Sequence, residues 1–186
     1  IFADSKNDIL VAQSLENLGR ILSNDVIVLA AESIDNKGTA LIFADDVVIT
    51  SQEKLINAAE ISAVNNLNIN AKNLENNKLI KAKNADFLIA ENLINFKEIS
   101  ALENLNITTK SLVNQQNSLL SSGNKTNLKI AQSLDNSGEI SSSLDLEVVV
   151  DELENKITGL VIAKNIALKV EGDLSNNSKI IALQKL

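Results

Sequence analysis

The chain has 186 residues, a net charge of −7 at pH 7 and 45% apolar residues, with no Cys, Met, Trp, Tyr, Pro or His and only four Phe. A pI near 4.7 and a single arginine, Arg20, exclude the clustered Lys/Arg that phosphate contacts require, so a nucleic-acid role is excluded. Without His or Cys, imidazole and thiolate chemistry and most zinc sites are excluded as well, and no apolar run approaches the roughly 20 residues that span a bilayer as a helix.

In chain order, one triplet recurs: an aliphatic residue, any residue, then Asn. The copies are Leu15-Glu16-Asn17, Ile34-Asp35-Asn36, Leu55-Ile56-Asn57, Leu74-Glu75-Asn76, Leu93-Ile94-Asn95, Leu112-Val113-Asn114, Leu134-Asp135-Asn136, Leu153-Glu154-Asn155 and Leu174-Ser175-Asn176. Successive Asn residues are 19, 21, 19, 19, 19, 22, 19 and 21 positions apart. Before each triplet lies an alternating run, as in Leu67-Asn68-Ile69-Asn70-Ala71 and Leu105-Asn106-Ile107-Thr108-Thr109. Apolar residues at every second position predict a strand with one buried face. After the Asn comes a second short run. Its first apolar residue is Ile21, Ile61, Ile80, Ile99, Ile140 or Ile180, four residues on, with Ser or Ala two further along. In the other three copies Leu41, Leu119 and Leu160 stand five after the Asn and are expected to take the same place. The added length of the three long units is thus assigned partly to the turn after Asn.

A 19-residue unit of about three short strands cannot bury its apolar face alone, and stacking such units closes a continuous core. The predicted fold is all-β, a parallel β-helix (solenoid) of about nine coils with a repeat of 19–22 residues. With almost no aromatic residues, its interior must be narrow and regular, built from Ile, Leu, Val and Ala. At about 4.8 Å per coil the rod is roughly 43 Å long. The recurring Asn suits this fold in two ways: it tolerates the left-handed conformation of a tight bend, and its amides can stack into a ladder along the rod. A leucine-rich repeat is rejected, because here Asn lies two residues after the last Leu rather than two before it, and no helical half-repeat is present. The pattern is under way at Ile1 and still running at the end, so residues 1–186 read as a single β-helical repeat segment of a longer array.

Units such as Leu67-Asn68-Ile69-Asn70-Ala71-Lys72-Asn73-Leu74-Glu75-Asn76 followed by Leu79-Ile80-Lys81-Ala82, and Leu134-Asp135-Asn136-Ser137-Gly138-Glu139-Ile140-Ser141, resemble the haemagglutinin-type repeats of filamentous haemagglutinin-like exoproteins. The resemblance covers essentially the whole chain, although the family's Gly turn after Leu-x-Asn survives clearly only at Lys37-Gly38 and Ser137-Gly138. Those exoproteins are the secreted partners of two-partner secretion, and include adhesins and the toxin carriers of contact-dependent growth inhibition. What the resemblance implies is a right-handed parallel β-helix, a shaft displayed at the bacterial cell surface, exported by an outer-membrane two-partner secretion transporter and holding a distal adhesive or toxic domain. The alternative is a binding module whose side face contacts a host or target-cell receptor or glycan.

No catalytic, cofactor-binding or metal site is predicted, and the chain is not expected to be an enzyme. Asp45-Asp46 and Asp151-Glu152 are the candidate acid pairs, but neighbours along a strand point apart. Lys72, Lys78, Lys81 and Lys83 form the one basic concentration, read as outward lysines that protect a sheet rather than as a patch for anionic glycans. Asn106, Asn124 and Asn176 open glycosylation-type triplets, which carry little meaning in the bacterial protein that the resemblance implies. Phe87 falls in an alternating run and is assigned to the core, whereas Phe96, directly after Asn95, is expected at the surface.

Overall fold

Period-2 runs of β-branched and aliphatic residues, interrupted every 19 to 22 positions, leave the backbone one way to bury every apolar face: each run must lie on its own counterpart one repeat later. In the computed structural model, which describes residues 1–185, this is the architecture. All strands belong to one 15-stranded sheet that wraps around itself, and strand pairs between neighbouring coils are parallel. No helix occurs among the described residues. In five coils the strand runs unbroken around two corners, over Leu41–Asn57, Glu60–Asn76, Leu79–Asn95, Glu98–Asn114 and Glu139–Asn155.

Each coil has a first strand after the Asn corner, a middle strand after a second corner, and a third strand that ends in the next Asn. In the coil of residues 58–76, Ile61 and Ala63, then Leu67, Ile69 and Ala71, then Leu74 and Asn76 point inward and are buried. Each fully buried Leu or Ile contributes about 1.5–3 kcal/mol, and the rows of neighbouring coils fuse into one core. Phe87 is core, as expected. It pairs with Ile69 and Ile107, and the room for its ring comes from Ala85, which stands in the row of Leu67 and Leu105. Volume is conserved within the coil, the condition under which a core tolerates a large residue.

The long units differ from the sequence reading. Leu41, Leu119 and Leu160 do not take the place of Ile61. They pair with Glu60, Glu98 and Glu139 in an outward row, and Ile42, Leu120 and Val161 occupy the inward position. The insertion in the Asn corner is therefore two residues. The two added residues stay in the turn, and the strand that follows keeps its alternation in register with its neighbours. The lengthened turns close with Ala40 N–H donating to Lys37 O at 3.0 Å, Ser118 N–H to Gln115 O at 3.1 Å and Gly159 N–H to Lys156 O at 2.7 Å. Two of them use a left-handed residue, Gly38 (φ 64°) and Asn117 (φ 63°).

Candidate functional site

The recurring Asn is the most conspicuous polar feature, and its geometry decides what it does. No ladder Asn has a positive φ, so the left-handed role foreseen for it is not used. The side chain is what the position needs. The Nδ2 of each Asn donates to the Oδ1 of the Asn one coil on, from Asn17 through Asn36, Asn57, Asn76, Asn95, Asn114, Asn136 and Asn155 to Asn176, at 2.8–2.9 Å throughout. The second N–H of the amide donates to a main-chain carbonyl in the first strand that follows the acceptor Asn. Asn57 reaches Leu79 O at 3.0 Å, Asn76 reaches Glu98 O at 2.9 Å and Asn95 reaches Leu119 O at 3.0 Å. From Asn36 to Asn155 these side chains are 0% exposed. Both donors and the acceptor are used internally, so the ladder offers nothing to a ligand.

A second polar cluster lies inside the rod where Thr126 replaces the Leu of its neighbours Leu105 and Leu146. Its hydroxyl donates to Ser122 Oγ at 2.8 Å, Ser122 and Ser142 share a hydrogen bond of 3.1 Å, and Ser142 donates to Asn124 O at 2.8 Å. The cluster is closed on itself, as a buried polar group must be.

The acid pairs do not converge. Asp46 Oδ1 accepts from the backbone N–H of Asn66 at 3.0 Å and from its side-chain amide at 2.8 Å, which ties two coils at the second corner. Asp151 and Glu152 are exposed at the corner that precedes the third strand. Among the described residues no three acidic side chains come close enough to hold a metal ion. The basic concentration resolves into ion pairs between coils: Lys72 with Glu53 at 2.6 Å, Lys81 with Glu60 at 3.0 Å and Lys83 with Glu103 at 3.3 Å. Lys78 makes no ion pair among the described residues. The Glu53 carboxylate beside Lys72 raises the pKa of that ammonium, and Glu16 and then Asp35 do the same for Lys37. Glu75 is held below the usual carboxylate range first by the amide of Asn77 and then by Lys54. These pairs cross-link coils, and none forms an open patch of one charge.

Asn106 donates to Asp86 at 2.6 Å, Asn124 to Asn104 at 3.3 Å, and Asn176 is the last rung of the ladder. Phe96 is 38% exposed at its corner, against 3% for Phe87. Sequence reading missed one surface feature. Beside the second corner runs a groove of about 730 Å³, lined by the outward residues Ser100, Ser121 and Ser141 of the first strand and by the 76%-exposed Leu102.

These features define a parallel β-solenoid repeat protein whose polar side chains serve the lattice between coils. The chain matches no family model, and neither curated proteins nor solved structures show a significant match to it.

Proposed function

We propose that this chain is a structural shaft, a segment of a secreted bacterial surface filament of the filamentous haemagglutinin-like kind, which holds an adhesive or toxic domain away from the cell and performs no catalysis. The observation that carries the reading is the unbroken Asn ladder. Eight hydrogen bonds in series along the axis, beside a mainly aliphatic core, make a rod that resists bending between coils. Repeat solenoids of this kind suit extended presentation, since each coil depends only on its neighbours and length is set by their number. Export through an outer-membrane two-partner secretion transporter follows from the resemblance of the repeats. The test is antibody labelling of the intact polypeptide on non-permeabilised producing cells, before and after external protease. Surface signal that protease removes is expected; signal only after permeabilisation would overturn the reading.

A second reading, a side face that binds a receptor or glycan, draws on the groove beside Leu102. Purified chain applied to whole cells and to a glycan array distinguishes the two. Saturable binding abolished by Leu102→Asp would favour the binding face, and background signal favours the shaft.

A further inference from the structure

The coils come in two kinds, and they alternate. Take each coil from the residue after one ladder Asn to the next ladder Asn. In coils 18–36, 58–76, 96–114 and 137–155 one residue separates the paired middle and third strands (Glu32, Lys72, Lys110 or Asp151). In coils 37–57, 77–95 and 115–136 two residues do so, Gln52-Glu53, Ala90-Glu91 and Ala131-Gln132, and in coil 156–176 Glu171-Gly172 stand between Val170 and Asp173, whose carbonyl accepts from Leu153 N–H at 2.9 Å. The first outward residue of the first strand alternates in the same phase: Arg20, Glu60, Glu98 and Glu139 in the narrow-cornered coils, Leu41, Leu79, Leu119 and Leu160 in the wide-cornered ones. Every narrow-cornered coil has 19 residues, and all variation in length (21, 19, 22 and 21) falls in the wide-cornered coils.

We infer that the building unit of this rod is a pair of unlike coils, so that each coil face accepts a coil of the other kind. Neighbouring coils lie about 4.8 Å apart, and a protruding corner placed beside a short one has about twice that spacing for its side chains. The second corner obeys the same rule in reverse. It is long in the narrow-cornered coils (Val64-Asn65, Leu102-Glu103) and short in the wide-cornered ones (Asp45, Lys83, Lys164). The one exception shows the crowding that the rule avoids. Coil 115–136 has a long second corner, Gly123-Asn124, between two other long ones, and a Cβ at Gly123 would overlap the carbonyl of Leu102. In the middle of the rod two narrow corners are also tied to wide ones by charge, Lys72 to Glu53 at 2.6 Å and Lys110 to Glu91 at 3.0 Å, while the narrow corners at Glu32 and Asp151 carry acids and have no such pair. This inference is independent of the proposed role in a secreted filament.

The test is a set of deletions in the 186-residue chain, compared by thermal melting. Removing residues 58–76 places Leu41 beside Leu79 and Glu53 beside Glu91, and removing 77–95 places Glu60 beside Glu98 and Lys72 beside Lys110. Removing the pair 58–95 instead restores Leu41 beside Glu98 and Glu53 beside Lys110, and removing 77–114 sets Glu60 beside Leu119. Both 38-residue deletions should melt at least about 3 °C above both 19-residue deletions, although they leave a shorter rod. The opposite order, or pair deletions that do not fold where single deletions do, overturns the inference. Should no deletion fold, full-length Lys72→Glu decides: a third acid between Glu53 and Glu91 should lower the melting temperature and 1 M salt should restore it, whereas an unchanged melt overturns the pairing rule.

Discussion

Substituting Asn76 by Ala removes one inner rung of the ladder. Its Oδ1 accepts from Asn57 at 2.9 Å, and its Nδ2 donates to Asn95 Oδ1 at 2.8 Å. The substitution therefore strands a buried N–H on Asn57 and a buried oxygen on Asn95, both on residues with 0% exposure. Each orphaned buried group costs about 1–3 kcal/mol, so Asn76→Ala should destabilise the chain by about 2–6 kcal/mol. Asn176→Ala is the matched control. It loses a single ladder bond of 2.8 Å and strands one group, the N–H of Asn155, so it should cost about 1–3 kcal/mol, half the cost at Asn76. Urea unfolding followed by far-UV circular dichroism gives both values from the midpoint and slope. The double substitution of Asn57 and Asn76 should cost less than the sum of the single ones, because their shared bond is lost once. A cost at Asn76 equal to that at Asn176 would refute the view that the ladder holds the coils together.

Gly159→Ala should destabilise strongly, because its Cβ would overlap Asn155 Oδ1 and Asn136 O, while Gly19→Ala, with open space around it, should be neutral in the same urea assay. Ile99→Ala, at a 0%-exposed core position, should cost about 2–5 kcal/mol by the same measurement. Stability should be flat between about pH 6 and 9, since no His or Cys titrates there. Glu75, Glu147 and Glu171 have lowered pKa values in the folded state, so their contribution is present above the unfolded carboxylate pKa and is lost as pH falls through the folded ones. Lys37, Lys72 and Lys156 are raised, so theirs is present at neutral pH and is lost only as pH climbs past the ordinary lysine value. Melting temperature against pH reads both limbs, and a step near pH 6.5 would contradict the assignment.

What the sequence made legible was whatever depends on spacing alone. The Leu-x-Asn triplet marks the coil, period-2 runs mark its strands, and Phe87 declares itself core by falling on the inward phase. Three things were hidden because they depend on how one coil meets the next. Leu41 looked like the partner of Ile61, and only the two-residue length of the turn around Gly38 shows that Ile42 is. The role of Asn had two physical explanations, and only the backbone shows that its side chain, not its tolerance of positive φ, is what the position uses. The lysine cluster read as one stretch of positive charge because its acids, Glu53, Glu60 and Glu103, lie about one repeat away in the chain.

The central claim is a straight, stiff stack of coils, and distances along one outward row test it directly. Thr50, Asn70, Leu88, Thr108, Lys129, Val149 and Lys169 are successive neighbours in one row, one per coil. The chain has no cysteine, so pairs of Cys introduced in this row carry spin labels without interference. Pulsed dipolar spectroscopy should give narrow distributions that grow by roughly 4.8 Å per coil, reaching roughly 29 Å between positions 50 and 169. Distances that level off, or that broaden as coils are added between the labels, would contradict the rod.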